Sequence, residues 1–149
     1  MHFFISALLV IVLDQITKYI VVNNMTLGES IPIINNVFHL TYILNPGAAF
    51  GMFADNRLFF IGIAIIVIMV VLWAYKEIMQ SGWFIRYGAA FFLGGAIGNL
   101  IDRTRQGLVI DFFDFRIWPI FNVADIFICV GVGMIIWNMV TTELLQQQG

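Results

Sequence analysis

Charge is what this sequence has least of. Only 11% of its 149 residues are Asp, Glu, Lys or Arg, against roughly 25% in a soluble domain. Seven basic and nine acidic residues leave a net charge of −2, which excludes the basic surface that nucleic acid binding needs. The single cysteine, Cys129, lies in an apolar run, which excludes a disulfide framework and a Cys-based zinc site. With His2 and His39 the only histidines, a His-ligated metal is not expected either, and no cofactor is expected.

What is abundant is apolar: 61% of the residues are hydrophobic and 15% aromatic. A hydrocarbon-spanning helix needs ~20 largely apolar residues, so about four spans and their connectors consume the chain. It reads as a single-domain, all-α membrane bundle of four transmembrane helices. Hydropathy marks the runs 3–22, 58–75, 83–101 and 123–140. At ~1.5 Å per residue each covers about 27–30 Å, the thickness of the hydrocarbon core. The first run is expected to stay in the mature protein. No Lys or Arg precedes it, Asp14 and Lys18 interrupt it, and no small-residue cleavage site follows.

The connector 76–82 is short and plain, whereas 23–57 and 102–122 are long and hold most of the unusual residues. Segment 30–44 has two apolar, partly β-branched stretches around Asn35-Asn36, which predicts a small hairpin on the membrane surface, ended by Asn45-Pro46-Gly47. Segment 108–115 reads as extended, with Val109, Asp111 and Phe113 on one face and Ile110, Phe112 and Asp114 on the other. The sequence has no internal repeat.

Four spans bring both long connectors to one side of the membrane, and nearly every polar residue needing explanation goes with them. The Lys and Arg count places Arg57, Arg103, Arg105 and Arg116 on that side against Lys76 and Arg86 on the other, so charge alone would make it cytoplasmic.

Each polar group there has two readings. Asn99, Asp102 and Arg103 are spaced i, i+3, i+4 and share one face at the end of the third run, as a local ion pair or as part of a site. Asn122 and Asp125, i and i+3 at the start of the fourth, fit a capping arrangement, which does not exclude chemistry. Asp14 and Lys18, i and i+4 inside the first run, form either a neutralising pair with Lys18 snorkelling outward or a support for a site. Gly94, Gly95, Gly98 and Ala90 make a small-residue stripe that close helix packing explains.

Asp111 is hardest to dismiss, because no cationic residue lies within four positions of it in an apolar segment. Desolvation there raises a carboxyl pKa, while a helix start favours the ionised form of Asp125. Two carboxylates driven apart in this way suit aspartic proteolysis. The ionised one takes a proton from water, and the protonated one donates to the scissile carbonyl and later to the leaving amine.

Five segments, in order and spacing, carry a resemblance: Asp14-Gln15-Ile16-Thr17-Lys18, Asn45-Pro46-Gly47-Ala48-Ala49-Phe50-Gly51, Gly98-Asn99-Leu100-Ile101-Asp102-Arg103, Val109-Ile110-Asp111-Phe112 and Phe121-Asn122-Val123-Ala124-Asp125. Together they resemble the motif blocks of bacterial lipoprotein signal peptidase (signal peptidase II) across nearly the whole chain. The resemblance implies a monomeric aspartic endopeptidase of the bacterial inner membrane that cleaves before the diacylglyceryl-modified cysteine of a prolipoprotein substrate. It makes Asp111 and Asp125 the dyad. Asn45, Asn99, Arg103 and Asn122 would line the site, and Asp14, Lys18 and Asp102 would support it. It implies four transmembrane helices with a small extracytoplasmic β-cradle, both termini cytoplasmic and the site at the outer surface. That orientation is preferred to the charge count, because an arginine recruited beside carboxylates does not report topology. The competing classes are a proton-coupled transporter, disfavoured by the lack of inverted repeats or broken spans, and a structural assembly factor whose polar residues only pair helices.

Overall fold

The computed structural model describes residues 2–47 and 56–146; within the quoted segments, Ala48 to Gly51 lie outside them. Chain order is α1 (His2–Asn24), β1 (Ser30–Ile34), β2 (Phe38–Asn45), α2 (Arg57–Trp73), α3 (Tyr75–Gln80), α4 (Trp83–Gln106), β3 (Val109–Asp114) and α5 (Val123–Gln146). Among the described residues three helices are long and apolar enough to cross a bilayer, His2–Asn24, Trp83–Gln106 and Val123–Thr142, rather than the four expected. The run 58–75 becomes the 17-residue α2 because Ala74, at ψ 4°, leaves the helical region. Hydrogen bonds still bridge it, from Ala74 N to Val70 O and from Ile78 N to Ala74 O, so α3 follows directly. The other helices outrun their apolar stretches, since hydropathy marks the hydrocarbon and not the helix ends.

Small residues set the packing. A Cβ on Gly94 would stand 2.7 Å from Ala7 O of α1, and one on Gly95 would collide with Ala124 O of α5, so the stripe on α4 lets both neighbours approach to backbone contact. One apolar cluster, with Phe3, Ala7, Val71, Ala90 and Leu93, joins α1, α2 and α4 at one end of the bundle. A second, with Val21, Tyr42, Ile110, Phe112 and Val123, lies under the sheet at the other.

The expected hairpin is present. β1 and β2 pair antiparallel, with Asn36 at φ 60° in the turn, a left-handed conformation that Asn tolerates. Segment 108–115, extended as its alternation predicts, is not a separate piece: its Val109–Asp114 is the third strand, antiparallel to β2 with Ile43 opposite Asp111 and His39 opposite Asp114, giving sheet order β1-β2-β3. This pairing ties the connector carrying Asn45 to the one carrying Asp111. Gly107, at φ 84°, ends α4 in the left-handed region and lets the chain turn straight into β3.

Candidate active site

α4, β3 and α5 meet where α4 ends and α5 begins, and the buried amide of Asn122 sits at that junction, 0% exposed. Its Nδ2 donates to Asp111 Oδ1 at 2.6 Å, Asn99 Oδ1 at 3.1 Å and Ile110 O at 3.2 Å. Its Oδ1 accepts from Asp125 N at 3.0 Å, while Asp125 Oδ2 accepts from Asn122 N at 3.2 Å. The reciprocal pair is the capping arrangement read from the spacing. The same two residues therefore start α5 and connect the carboxyl groups of Asp111 and Asp125.

The remaining oxygens are also held. Asn45 Nδ2 donates to Asp111 Oδ2 at 2.9 Å, and Asn99 Nδ2 donates to Asp125 Oδ1 at 2.8 Å. Burial pushes the Asp111 carboxyl up from 3.8 to about 7, and the charge of Asp125 adds to the rise; the bonds from Asn45 and Asn122 and the Lys18 charge oppose it. A carboxyl there holds its proton near neutral pH. Asp114, three residues on, behaves oppositely. Burial raises it, but Arg116 N, Thr41 Oγ1 and the Arg116 guanidinium together bring it below the usual carboxylate range. Its bonds pin β2 to β3 and hold Arg116 at φ 66°.

Asn45, Asn99, Arg103, Asp111 and Asp125 all line one cleft of about 440 Å³, walled on its apolar side by Phe60, Ile63 and Val67 of α2. The Arg103 guanidinium lies 4.9 Å from the Phe60 ring centre and feels the charges of Asp125, Asp111 and Asp102. The cleft couples a polar floor to a greasy wall.

Asp14, Lys18 and Asp102 lie behind this floor. Lys18, 2% exposed, has three donors and uses all of them: Asp14 Oδ2 at 2.9 Å, Asp102 Oδ2 at 2.7 Å and Asn99 Oδ1 at 3.0 Å. The expected Asp14–Lys18 pair is thus a three-charge set, and Lys18 is buried rather than snorkelling. Asp14 Oδ1 accepts from Ala124 N at 3.0 Å, and Asp102 Oδ2 from Ile110 N at 3.3 Å. Each anchors the residue directly before one of the two acids. Because Asn99 Oδ1 is taken by Lys18 and Asn122, its Nδ2 is left to face Asp125.

Gln15 completes the set, with Nε2 reaching Asp102 Oδ1 at 3.0 Å, Asp14 Oδ2 at 3.1 Å and Gly98 O at 3.3 Å. Sequence reasoning gave it no part, though an amide between Asp14 and Lys18 in an apolar run was itself the signal. Nor did it place Cys129, which lines the cleft. The apolar wall of α2 carried no signal beyond hydropathy.

The chain is similar to known proteins along nearly its whole length. A family model described as Signal peptidase (SPase) II matches residues 6–141. The lipoprotein signal peptidase of Moorella thermoacetica is 46% identical over 139 residues, 93% of each chain. That of Clostridioides difficile is 47% identical over 133 residues, 88% of this chain and 89% of the other. A bacterial membrane enzyme solved by the in meso method at 2.3 Å superposes with a TM-score of 0.88 at 33% identity, over 94% of this chain and 88% of that one. A second such enzyme, solved at 1.9 Å, gives 0.84 at 34% identity, over 93% and 92%.

Proposed function

Because the chain belongs to the signal peptidase II family, a family of membrane peptidases that cleave lipoprotein signal peptides, we propose that it does so as an aspartic endopeptidase with Asp111 and Asp125 as its dyad. The observation that carries this reading is that both carboxyl groups line one cleft while a single buried amide, Asn122, bonds to Asp111 and caps Asp125. The substrate is a diacylglyceryl-modified prolipoprotein, cut before its lipidated cysteine.

Asp111, the raised carboxyl, enters the reaction as the proton donor, and Asp125 is the proton acceptor. Water attacks the scissile carbonyl carbon, its proton passing to Asp125, as Asp111 gives its proton to the carbonyl oxygen. The proton taken from water then passes through the dyad to the cysteine nitrogen as the C–N bond breaks, Asp111 regains a proton from the collapsing diol, and the starting state returns. Asn45 and Asn99 hold the outer oxygens of the dyad, Asn122 spaces it, and Arg103 offers a fixed cation to substrate backbone carbonyls. Asp14, Lys18 and Asp102 position the acids through Ala124 N and Ile110 N. The apolar α2 wall suits a substrate that arrives laterally as a membrane helix.

In the same reading α2, at ~26 Å by its 17 residues, is the fourth span. Both termini are cytoplasmic, the three-stranded sheet and cleft lie at the outer surface of the inner membrane, and the enzyme works as a monomer. The test is release of the signal peptide from a diacylglyceryl-modified prolipoprotein by the purified protein, followed by mass spectrometry. Asp111→Asn and Asp125→Asn should each abolish release while folding normally; substantial turnover by either would refute the dyad. A cysteine introduced at Gln106 should react with impermeant reagents from outside, and labelling from the cytoplasm alone would reverse the orientation.

A further inference from the structure

A second cavity, of about 220 Å³, lies at the opposite end of the bundle, lined by His2 and Phe3 of α1, Met79 of α3, and Trp83, Arg86 and Tyr87 of α4. Arg86 precedes Arg103 by seventeen positions on one helix, so ~25 Å separates it from the catalytic cleft. Nothing in the peptidase reaction uses it.

Its chemistry is one-sided. Phe3 and Met79 give an apolar floor, Arg86 a permanent cation and His2 an imidazole, and among the described residues no carboxylate lines it. The Arg86 Nε–H donates to Ser81 O at 2.9 Å, which fixes the guanidinium at the rim. Its two terminal nitrogens carry four further donors in the fork that matches phosphate oxygens. The depth in the membrane is marked by tryptophan: Trp73 is 85% exposed, Trp83 58% and Trp137 61%, all toward this end of the bundle. Exposed tryptophan gathers at the headgroup level. A basic pocket between transmembrane helices at that level is suited to an anionic headgroup.

We propose that this cavity is a binding site for one anionic phospholipid of the leaflet opposite the cleft, with the headgroup phosphate on Arg86 and the glycerol and first acyl carbons on Phe3, Met79 and Trp83. Charge complementarity selects the lipid: a zwitterionic headgroup brings its own cation toward Arg86, and a free phosphate leaves the apolar floor uncovered.

The experiment is native mass spectrometry of the purified full-length protein released from detergent, after titration with dioleoylphosphatidylglycerol, dioleoylphosphatidylcholine or inorganic phosphate. The unaltered protein should retain one phosphatidylglycerol at least about tenfold more strongly than phosphatidylcholine, and millimolar phosphate should not displace it. Arg86→Gln should lose about tenfold of that retention, ~1.4 kcal/mol, with basal cleavage in detergent unchanged. Equal retention of the two lipids by the unaltered protein would overturn the proposal without recourse to a variant. So would phosphatidylglycerol binding by Arg86→Gln at the parent's strength, or phosphate binding with no lipid retained.

Discussion

Replacing Asp111 by Asn should stabilise the protein at neutral and alkaline pH while removing its activity. In the folded protein the carboxyl is raised from 3.8 to about 7. A group raised in this way contributes stability that is fully present below its ordinary value of 3.8 and is lost as pH rises through about 7. At ~1.4 kcal/mol per pH unit, that rise amounts to ~4 kcal/mol of stability forfeited by pH 8. Asn copies the shape and neutrality of the protonated acid and cannot ionise. Its amide nitrogen cannot accept the bond that Asn45 gives Asp111 Oδ2, a loss of ~1 kcal/mol, so the variant should lie slightly below the parent near pH 4 and overtake it as pH rises toward 8. For a chain of this size the gain corresponds to ~10 °C in Tm. Thermal unfolding of detergent-solubilised parent and variant at half-unit steps from pH 4 to 8.5 measures the difference directly. A difference that does not grow with pH, or a variant less stable than the parent at pH 8, would refute the burial argument. On the proposed mechanism, which needs Asp111 protonated, cleavage should fall as pH rises through about 7, as an apparent value belonging to the proposed dyad.

Lys18→Met should destabilise by ~3–5 kcal/mol, because it strands buried Asp14 and Asp102 together. Asp14→Asn with Lys18→Met still leaves Asp102 alone, so chemical denaturation should rank Lys18→Met lowest, this double variant next and the triple variant that adds Asp102→Asn nearest the parent; a double variant equal to the parent would dissolve the three-charge set. Gly95→Ala forces a Cβ against the Ala124 carbonyl and should cost ~1–3 kcal/mol with a loss of cleavage. Gly133→Ala meets nothing within 4 Å and should be neutral or better by up to ~1 kcal/mol in the same unfolding assay. Cleavage should persist in chelators, and metal-restored activity after chelation would contradict the two-carboxylate chemistry.

Helical spacing made much of the site legible, because i, i+3 and i+4 relations are local. Asn99, Asp102 and Arg103 do share an end of α4, and Asn122 with Asp125 does cap α5. The apolar isolation of Asp111 pointed correctly to a raised carboxyl. The hairpin was readable from Asn35-Asn36. What escaped depended on contacts between distant segments: β3 joining β2, Asp14 reaching the start of α5, and Lys18 bonding across to α4. The helix α3 within the expected connector 76–82 escaped for a different reason, since Lys76 and Glu77 end the apolar run and hydropathy is blind to a backbone that stays helical beyond it.

The capping of α5 by Asn122 and Asp125 has a bearing on how the protein is made. Synthesis delivers Asn45, Asn99 and Asp111 first, and Asp125, the second acid of the proposed dyad, arrives later with α5. Asp125 meets its partners when α5 has docked against the glycines of α4 and accepted Asp14 at its first turn. On the proposed dyad, a nascent chain whose α5 has not yet docked lacks one of its two carboxyl groups, so competence to cut would arrive with α5 and not with the sheet.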